Sequence, residues 1–166
     1  MVSYSKPEWP PLLPPGLHPK SITEVEELCV AYFPLSATRQ KLMAGLRKIV
    51  EMLVGCKIVG ELWADGSFLT EEVNPGDVDL VLCTSAEFYD NGTDEQKKTL
   101  RWLDEEDLRP SHGCDSRVAL QYPASHIFFG CGSFRTGQLS RRCKGLARFC
   151  SASNGVYSRL IPSPTP

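Results

Sequence analysis

Between Lys57 and Thr84 the chain leaves little choice of topology. Lys57 to Ala64, KIVGELWA, is an apolar run that predicts a strand. Asp65-Gly66-Ser67 turns the chain, and Phe68 to Gly76 forms a loop with a short helical turn after Ser67. Asp77 to Thr84, DVDLVLCT, predicts a second strand. Its two acids alternate with apolar residues, so Asp77 and Asp79 share one face. The connection is too short for a full helical crossover, so the two strands can be adjacent and antiparallel.

The remaining segments fit around this pair. With 166 residues the chain suits one domain with one core. Residues 1–20 are proline-rich and predict an extended arm over the surface. A single domain is expected over 21–161, with 162–166 as a disordered tail. Ser21-Ile-Thr-Glu24 is a capping box for a first helix that Pro34 ends. Ser36 caps a second helix reaching Val54, with Leu42, Leu46, Ile49, Val50 and Leu53 as its inner stripe. Ser85 to Tyr89 predicts a short helix, Thr93 to Glu106 a longer one, and Cys114 to Tyr122 a third strand with Asp115, Arg117, Ala119 and Gln121 on one face. Val156 to Ile161 predicts a last short strand. Trp63, Phe68 and Trp102 are assigned mostly to the core. The fold class is α/β (α+β): a small mixed sheet with helices packed mainly on one face.

Charge is divided unevenly. Residues 1–108 hold 10 lysines and arginines against 19 acids; residues 109–166 hold 8 against one acid, Asp115. A basic C-terminal part suits an anionic partner, and Arg135, Arg141, Arg142, Lys144 and Arg148 are its candidate contacts; mutual neutralisation of the two halves accounts for the split equally well. The seven cysteines contain no C-x-x-C pair; Cys29, Cys56 and Cys83 sit in apolar runs and read as small reduced hydrophobes. Cys114, His126, Cys131 and Cys143 lack the paired spacing of a zinc site. No apolar run has the length of a membrane span, and the first twenty residues lack the charged-then-apolar order of a signal peptide. A cytoplasmic protein with no membrane partner is the expectation.

The two carboxylates of Asp77 and Asp79 lie roughly 6–7 Å apart at their Cα atoms on a strand and repel each other unless something intervenes. A divalent cation removes the repulsion, and Mg²⁺ favours carboxylate, phosphate and water oxygens. A nearby Gly66-Ser67 turn offers backbone amides and a hydroxyl to an anion. Cation plus phosphate cradle suits a nucleoside triphosphate. An acid amid Val78, Leu80, Val81 and Leu82 is also expected to be partly buried, and costly there without a partner. The structural alternatives are that Asp77 is a strand-start turn residue and that Ser67 only caps a helical turn.

Gly66-Ser67, nine intervening residues, then Asp77-Val78-Asp79 and an apolar residue resembles the nucleotidyltransferase signature of the DNA polymerase β superfamily. Leu13-Pro-Pro-Gly-Leu-His18, Ser36…Arg39, Asp65-Gly-Ser-Phe-Leu-Thr70, Asn74-Pro-Gly-Asp77-Val-Asp79 and Lys144-Gly145 extend the resemblance, over about residues 10 to 150, to small bacterial nucleotidyltransferase-like proteins often found near toxin–antitoxin or phage-defence genes. The resemblance implies a nucleotidyltransferase-like fold and a Mg²⁺- or Mn²⁺-dependent enzyme that moves an NMP from an NTP such as ATP to a protein or RNA hydroxyl. It implies that Asp77, Asp79 and Asp115 are the catalytic, metal-holding carboxylates, with Asp115 drawn from a later strand; Asp90, Asp104 and Asp107 are the substitutes should Asp115 lie elsewhere. Gly66, Ser67, Thr70 and Lys144 would bind the nucleotide. A toxin or antitoxin partner is implied, and sequence-specific DNA binding is not. The alternatives are a catalytically inactive, antitoxin-like module that binds nucleotide or a partner, and an RNA-binding protein using the basic C-terminal half.

Overall fold

A computed structural model describes residues 9–122 and 156–160. Near the start, β1 (Gly16–Lys20) is an edge strand, a position that tolerates Pro19. Ser21 then caps α1 (Ile22–Glu26): its hydroxyl accepts from the Glu24 amide, and the Glu24 carboxylate accepts from the Ser21 amide. The sequence predicts one helix from here to Pro34. Instead the chain widens into a π-helical stretch, Glu27–Ala31. The Cys29 carbonyl within it accepts a 2.8 Å bond from Arg39 Nη1, the kind of inserted contact that distorts an α-helical ladder.

The second helix, α2 (Arg39–Gly55), starts three residues after Ser36. Ser36 Oγ accepts from the Thr38 and Arg39 amides, and Asn74 Oδ1 accepts from the Ala37 amide at 2.8 Å. These two side chains hold the turn ahead of the helix. Leu42, Met43, Leu46, Ile49 and Leu53 are its buried large apolar residues; of the predicted stripe only Val50 is partly exposed.

Strand β2 spans Glu61–Asp65, later than the predicted Lys57–Ala64. Lys57 has φ +53° and breaks the extended conformation ahead of it. A 3₁₀ turn (Ser67–Leu69) and a loop lead to β3 (Val78–Ser85). Then follow α3 (Ala86–Asn91), α4 (Asp94–Glu105, capped reciprocally by Thr93 and Gln96) and α5 (Arg109–His112, with Pro110 in its first turn). Gly113, at φ +67°, ends α5 in the left-handed conformation. Its carbonyl accepts from the Val78 amide at 3.0 Å, which sets the register in which β4 (Cys114–Gln121) enters the sheet. The last described strand is β5 (Val156–Leu160).

The strand order is β1-β5-β2-β3-β4. β1 is parallel to β5, β2 is antiparallel to both β5 and β3, and β3 is parallel to β4. The α3–α5 crossover makes the last pairing reachable. Leu62, Ala64, Val78, Leu80, Leu82, Cys114 and Val118 face the helices and share one apolar core with Leu42, Leu46, Ile49, Leu53, Leu100 and Leu103. Each fully buried leucine or isoleucine there contributes about 1.5–3 kcal/mol. The chain is therefore a mixed α/β (α+β) fold. Phe68 is in this core, but Trp63 is half-buried on the opposite face and donates to Glu61 Oε2 at 3.2 Å. Strand alternation puts it there, beside Glu61 and Asp65. No helix among the described residues is long and apolar enough to cross a membrane.

Candidate functional site

The face of the sheet turned away from the helices carries a row of aspartates. Antiparallel register pairs Asp65 with Asp79, and parallel register pairs Asp79 with Asp115. Adjacent strands lie about 4.8 Å apart, so three carboxylates from β2, β3 and β4 stand side by side. Asp77 sits one residue ahead of β3, two positions from Asp79. From the sequence alone Asp65 is a turn residue ahead of Gly66-Ser67. Its alternation with Trp63, read together with the antiparallel hairpin, is the signal that would have placed it beside Asp79.

Asp79 is exposed rather than partly buried, because its neighbours Val78 and Leu80 point to the core while it points away. Its position is set by Gly66. That residue has φ +82° and ψ −164°, a conformation that L-residues avoid. A Cβ there would stand 1.9 Å from Asp79 Oδ2. The missing side chain thus lets the turn backbone come against the carboxylate. Burial pushes the Asp65 carboxyl above its usual range, opposed by a hydrogen bond from the Gly66 amide.

Ser67 opens the 3₁₀ turn. Its carbonyl accepts from the Thr70 amide at 3.2 Å and from Thr70 Oγ1 at 2.8 Å; Thr70 Oγ1 in turn accepts from the Glu72 amide at 3.3 Å. Thr70 therefore braces the loop through its hydroxyl. The loop is also tied to the arm: the Leu12 amide donates to the Leu69 carbonyl and the Glu71 amide to the Pro10 carbonyl, at 2.9 and 2.8 Å.

Asp115 has company that the sequence did not reveal. Arg117 Nη1 lies 3.4 Å from its Oδ1 and Arg109 Nη1 3.8 Å from its Oδ2. Arg109 is also bonded to Asp107 at 2.9 Å, and its pKa is raised by that bond, then by Asp115, the Asp107 charge and Asp77. Asp104 is used elsewhere, accepting from the Val118 amide at 2.9 Å and tying α4 to β4. Asp107 and Asp104 thus hold the crossover, while Asp90 is an exposed residue of α3.

The donor chemistry of Asp77 and Asp79 fits a hard divalent cation, since Mg²⁺ is usually held by one or two carboxylates plus substrate phosphates. The space that a Cβ at Gly66 would fill is taken by the Asp79 carboxylate, and the Gly66 amide donates to Asp65, which leaves the Ser67 amide and hydroxyl as the groups of this turn to meet an anion. Among the described residues, however, no three His, Cys, Asp or Glu side chains gather closely enough to hold a metal ion. The residues therefore fit a cation shared with a ligand better than a closed three-carboxylate site. Cys114 is buried, its Sγ donates to the His112 carbonyl, and burial, then Asp77 and Asp79, push its thiol up to about 12. His126, Cys131, Cys143 and the basic candidates Arg135, Arg141, Arg142, Lys144 and Arg148 lie outside the described residues.

No curated protein and no solved structure matches the chain. A family model does, over residues 7–149, and it takes in the aspartate row, the Gly66 turn and the crossover together. That extent places the chain in DUF6932, a family of unknown function.

Proposed function

We propose that this protein is a divalent-cation-dependent nucleotidyltransferase that moves an NMP from an NTP to a hydroxyl of a protein or RNA. The observation that carries the reading is the pairing of Asp79 with Asp115 on a parallel strand, with Asp77 two residues from Asp79 and the Gly66 backbone against the Asp79 carboxylate. In the reaction the acceptor oxygen attacks the α-phosphorus, the bond to the bridging oxygen breaks, and pyrophosphate leaves. Asp77 and Asp79 hold the cation, which when bound offsets charge on the phosphates. The Gly66-Ser67 turn receives the outer phosphates through the Ser67 amide and hydroxyl. Asp115 takes the proton of the acceptor hydroxyl once Arg109 and Arg117 turn from it to the ligand. Positioning and electrostatics supply most of the acceleration in this chemistry.

A second reading has its own support. Asp115 is engaged by two arginines, and no three-ligand group forms among the described residues. Both suit a module that binds a cation–nucleotide complex without turning it over. Incubation with each of the four labelled NTPs, Mg²⁺ or Mn²⁺, and cell lysate separates the two. Transfer of label that disappears in Asp77→Ala/Asp79→Ala supports the enzyme. Nucleotide binding that the double variant loses, with no transfer by the wild type, supports the binding module. Absence of both transfer and nucleotide binding overturns the two readings alike.

A further inference from the structure

Arg39 is fully buried at the first position of α2. A cation is poorly placed there, since the N-terminal end of a helix carries partial positive charge. Among the described residues no carboxylate is hydrogen-bonded to it, although the Glu72 charge acts on it. Its guanidinium has five N–H groups, and all five are used on backbone carbonyls. Nη1 donates to Cys29 and Phe68, both at 2.8 Å; Nη2 donates to Thr70 and Glu72, both at 2.6 Å; Nε donates to Glu72 at 3.2 Å. The Phe33 ring centroid lies 3.7 Å from the guanidinium carbon and that of Phe68 lies 5.5 Å away.

Three of the four carbonyls come from alternate residues, 68, 70 and 72, within the stretch that joins Ser67 to Asp77. A guanidinium is planar and its donors are fixed in direction. A loop whose alternate carbonyls converge on such a group has its path set by that group. Phe68 and Leu69 anchor the beginning of the stretch in the core, and near its end Pro75 is buried and Asn74 accepts from the Ala37 amide. The part from Thr70 to Glu72 is held instead by Arg39, by the Thr70 brace and by the Pro10 carbonyl.

We propose that Arg39 is a positioning residue of the candidate nucleotide site: it shapes the 68–72 loop and so fixes the Gly66-Ser67 backbone at one end and Asp77 at the other. It touches neither ligand nor reacting atoms and acts through the loop. The nucleotide part of the inference rests on the transferase reading above. Lysine cannot substitute, because an ammonium has three donors and no planar face to lie against Phe33.

The test compares wild-type full-length protein with Arg39→Lys and with Phe33→Leu, which keeps the arginine and removes the ring on one of its faces. Thermal unfolding, amide hydrogen exchange by peptide, and Mg²⁺–NTP kinetics or binding are measured on each. Exchange over residues 66–77 should rise about tenfold or more in Arg39→Lys and less in Phe33→Leu, while β3 and α4 stay within about twofold. KM for the NTP should rise about tenfold with kcat held within about threefold, the signature of lost ground-state positioning. Uniform acceleration of exchange across β2, β3 and β4 in both variants would make Arg39 an ordinary core residue and overturn the proposal. So would unchanged loop exchange, or altered loop exchange with an unchanged KM. If the wild type binds no Mg²⁺–NTP, the transferase reading falls and takes the nucleotide part with it; exchange confined to 66–77 would still assign the loop to Arg39.

Discussion

Replacing Gly66 by alanine tests the arrangement of the site through a single methyl group. At φ +82° and ψ −164° a non-glycine residue costs roughly 1–3 kcal/mol in backbone strain alone. The new Cβ would also stand 1.9 Å from Asp79 Oδ2 and 2.9 Å from its Cγ. Ordinary contact begins near 3.4 Å, so the carboxylate must retreat by about 1.5 Å or the turn must move off the strand. In a domain of this size each kcal/mol lowers Tm by about 2–4 °C, and a total near 2–3 kcal/mol gives a drop of roughly 4–12 °C. Differential scanning calorimetry on Gly66→Ala, Asp79→Ala and the double variant divides the loss. In the Asp79→Ala background the collision is gone and only strain remains, so the glycine substitution should cost at least about 0.5 kcal/mol less. Isothermal titration with Mg²⁺–NTP should show weaker binding in Gly66→Ala. A Gly66→Ala protein melting within about 1 °C of the wild type would refute the argument. Equal losses in the two backgrounds would refute the contact with Asp79 specifically.

Asp65→Asn should raise Tm at pH 7: the Asp65 pKa is raised on folding, so its stability contribution is full below the unfolded value of about 3.9 and is lost as pH rises through the folded value. Melts in EDTA between pH 3 and 8 should show the advantage of the variant shrinking toward the acid end; an advantage independent of pH would contradict the charge argument. Cys29 and Cys114, both fully buried with thiols pushed up to about 12 by burial in each case, should resist iodoacetamide at pH 8 in the native protein and react in denaturant, as read by peptide mapping; native labelling of either would contradict its burial. Asn74→Ala removes the acceptor for the Ala37 amide and should cost about 1 kcal/mol, as loss of a helix-start cap does, visible as a midpoint shift in urea with unchanged slope; no shift would show that Ser36 alone suffices.

What the sequence disclosed and what it hid have a common physical cause. The β2–β3 pair was legible because alternation and a short connection are local properties. The face of β4 that carries Asp115 also follows from alternation, whereas its place beside Asp79 was implied only by the resemblance and depends on the β3–β4 register. Two of the crossover helices were legible over Ser85 to Tyr89 and Thr93 to Glu106, whereas α5 was hidden behind the helix breakers Pro110 and Gly113. Asp65 was hidden because an aspartate before glycine is already explained by a turn, and only the antiparallel register reveals its second neighbour. Arg39 was hidden because its partners are backbone carbonyls, which carry no sequence signature. Its visible signs are its place in the Ser36…Arg39 part of the resemblance and a cation where the helix dipole disfavours it. The contact of Arg109 with Asp115 depends on where α5 ends, and that depends on the conformation of Gly113.

The parallel pairing of β3 with β4 also dictates an order of assembly. Asp65 and Asp79 are separated by a short hairpin, whereas Asp79 and Asp115 are brought together only after the whole α3–α5 segment has folded back. Closing a loop of about 36 residues rather than about 14 costs on the order of 0.8 kcal/mol more chain entropy, and the crossover must form before that cost is recovered. During synthesis β3 therefore emerges as an unpaired edge, with Leu80, Val81, Leu82 and Cys83 in sequence, until Cys114 and the residues beyond it arrive. An edge of that composition invites pairing with other chains. Fragments that stop short of β4 should consequently aggregate, and a fragment meant to isolate the Gly66 turn and the β2–β3 hairpin needs β4 to stay in solution.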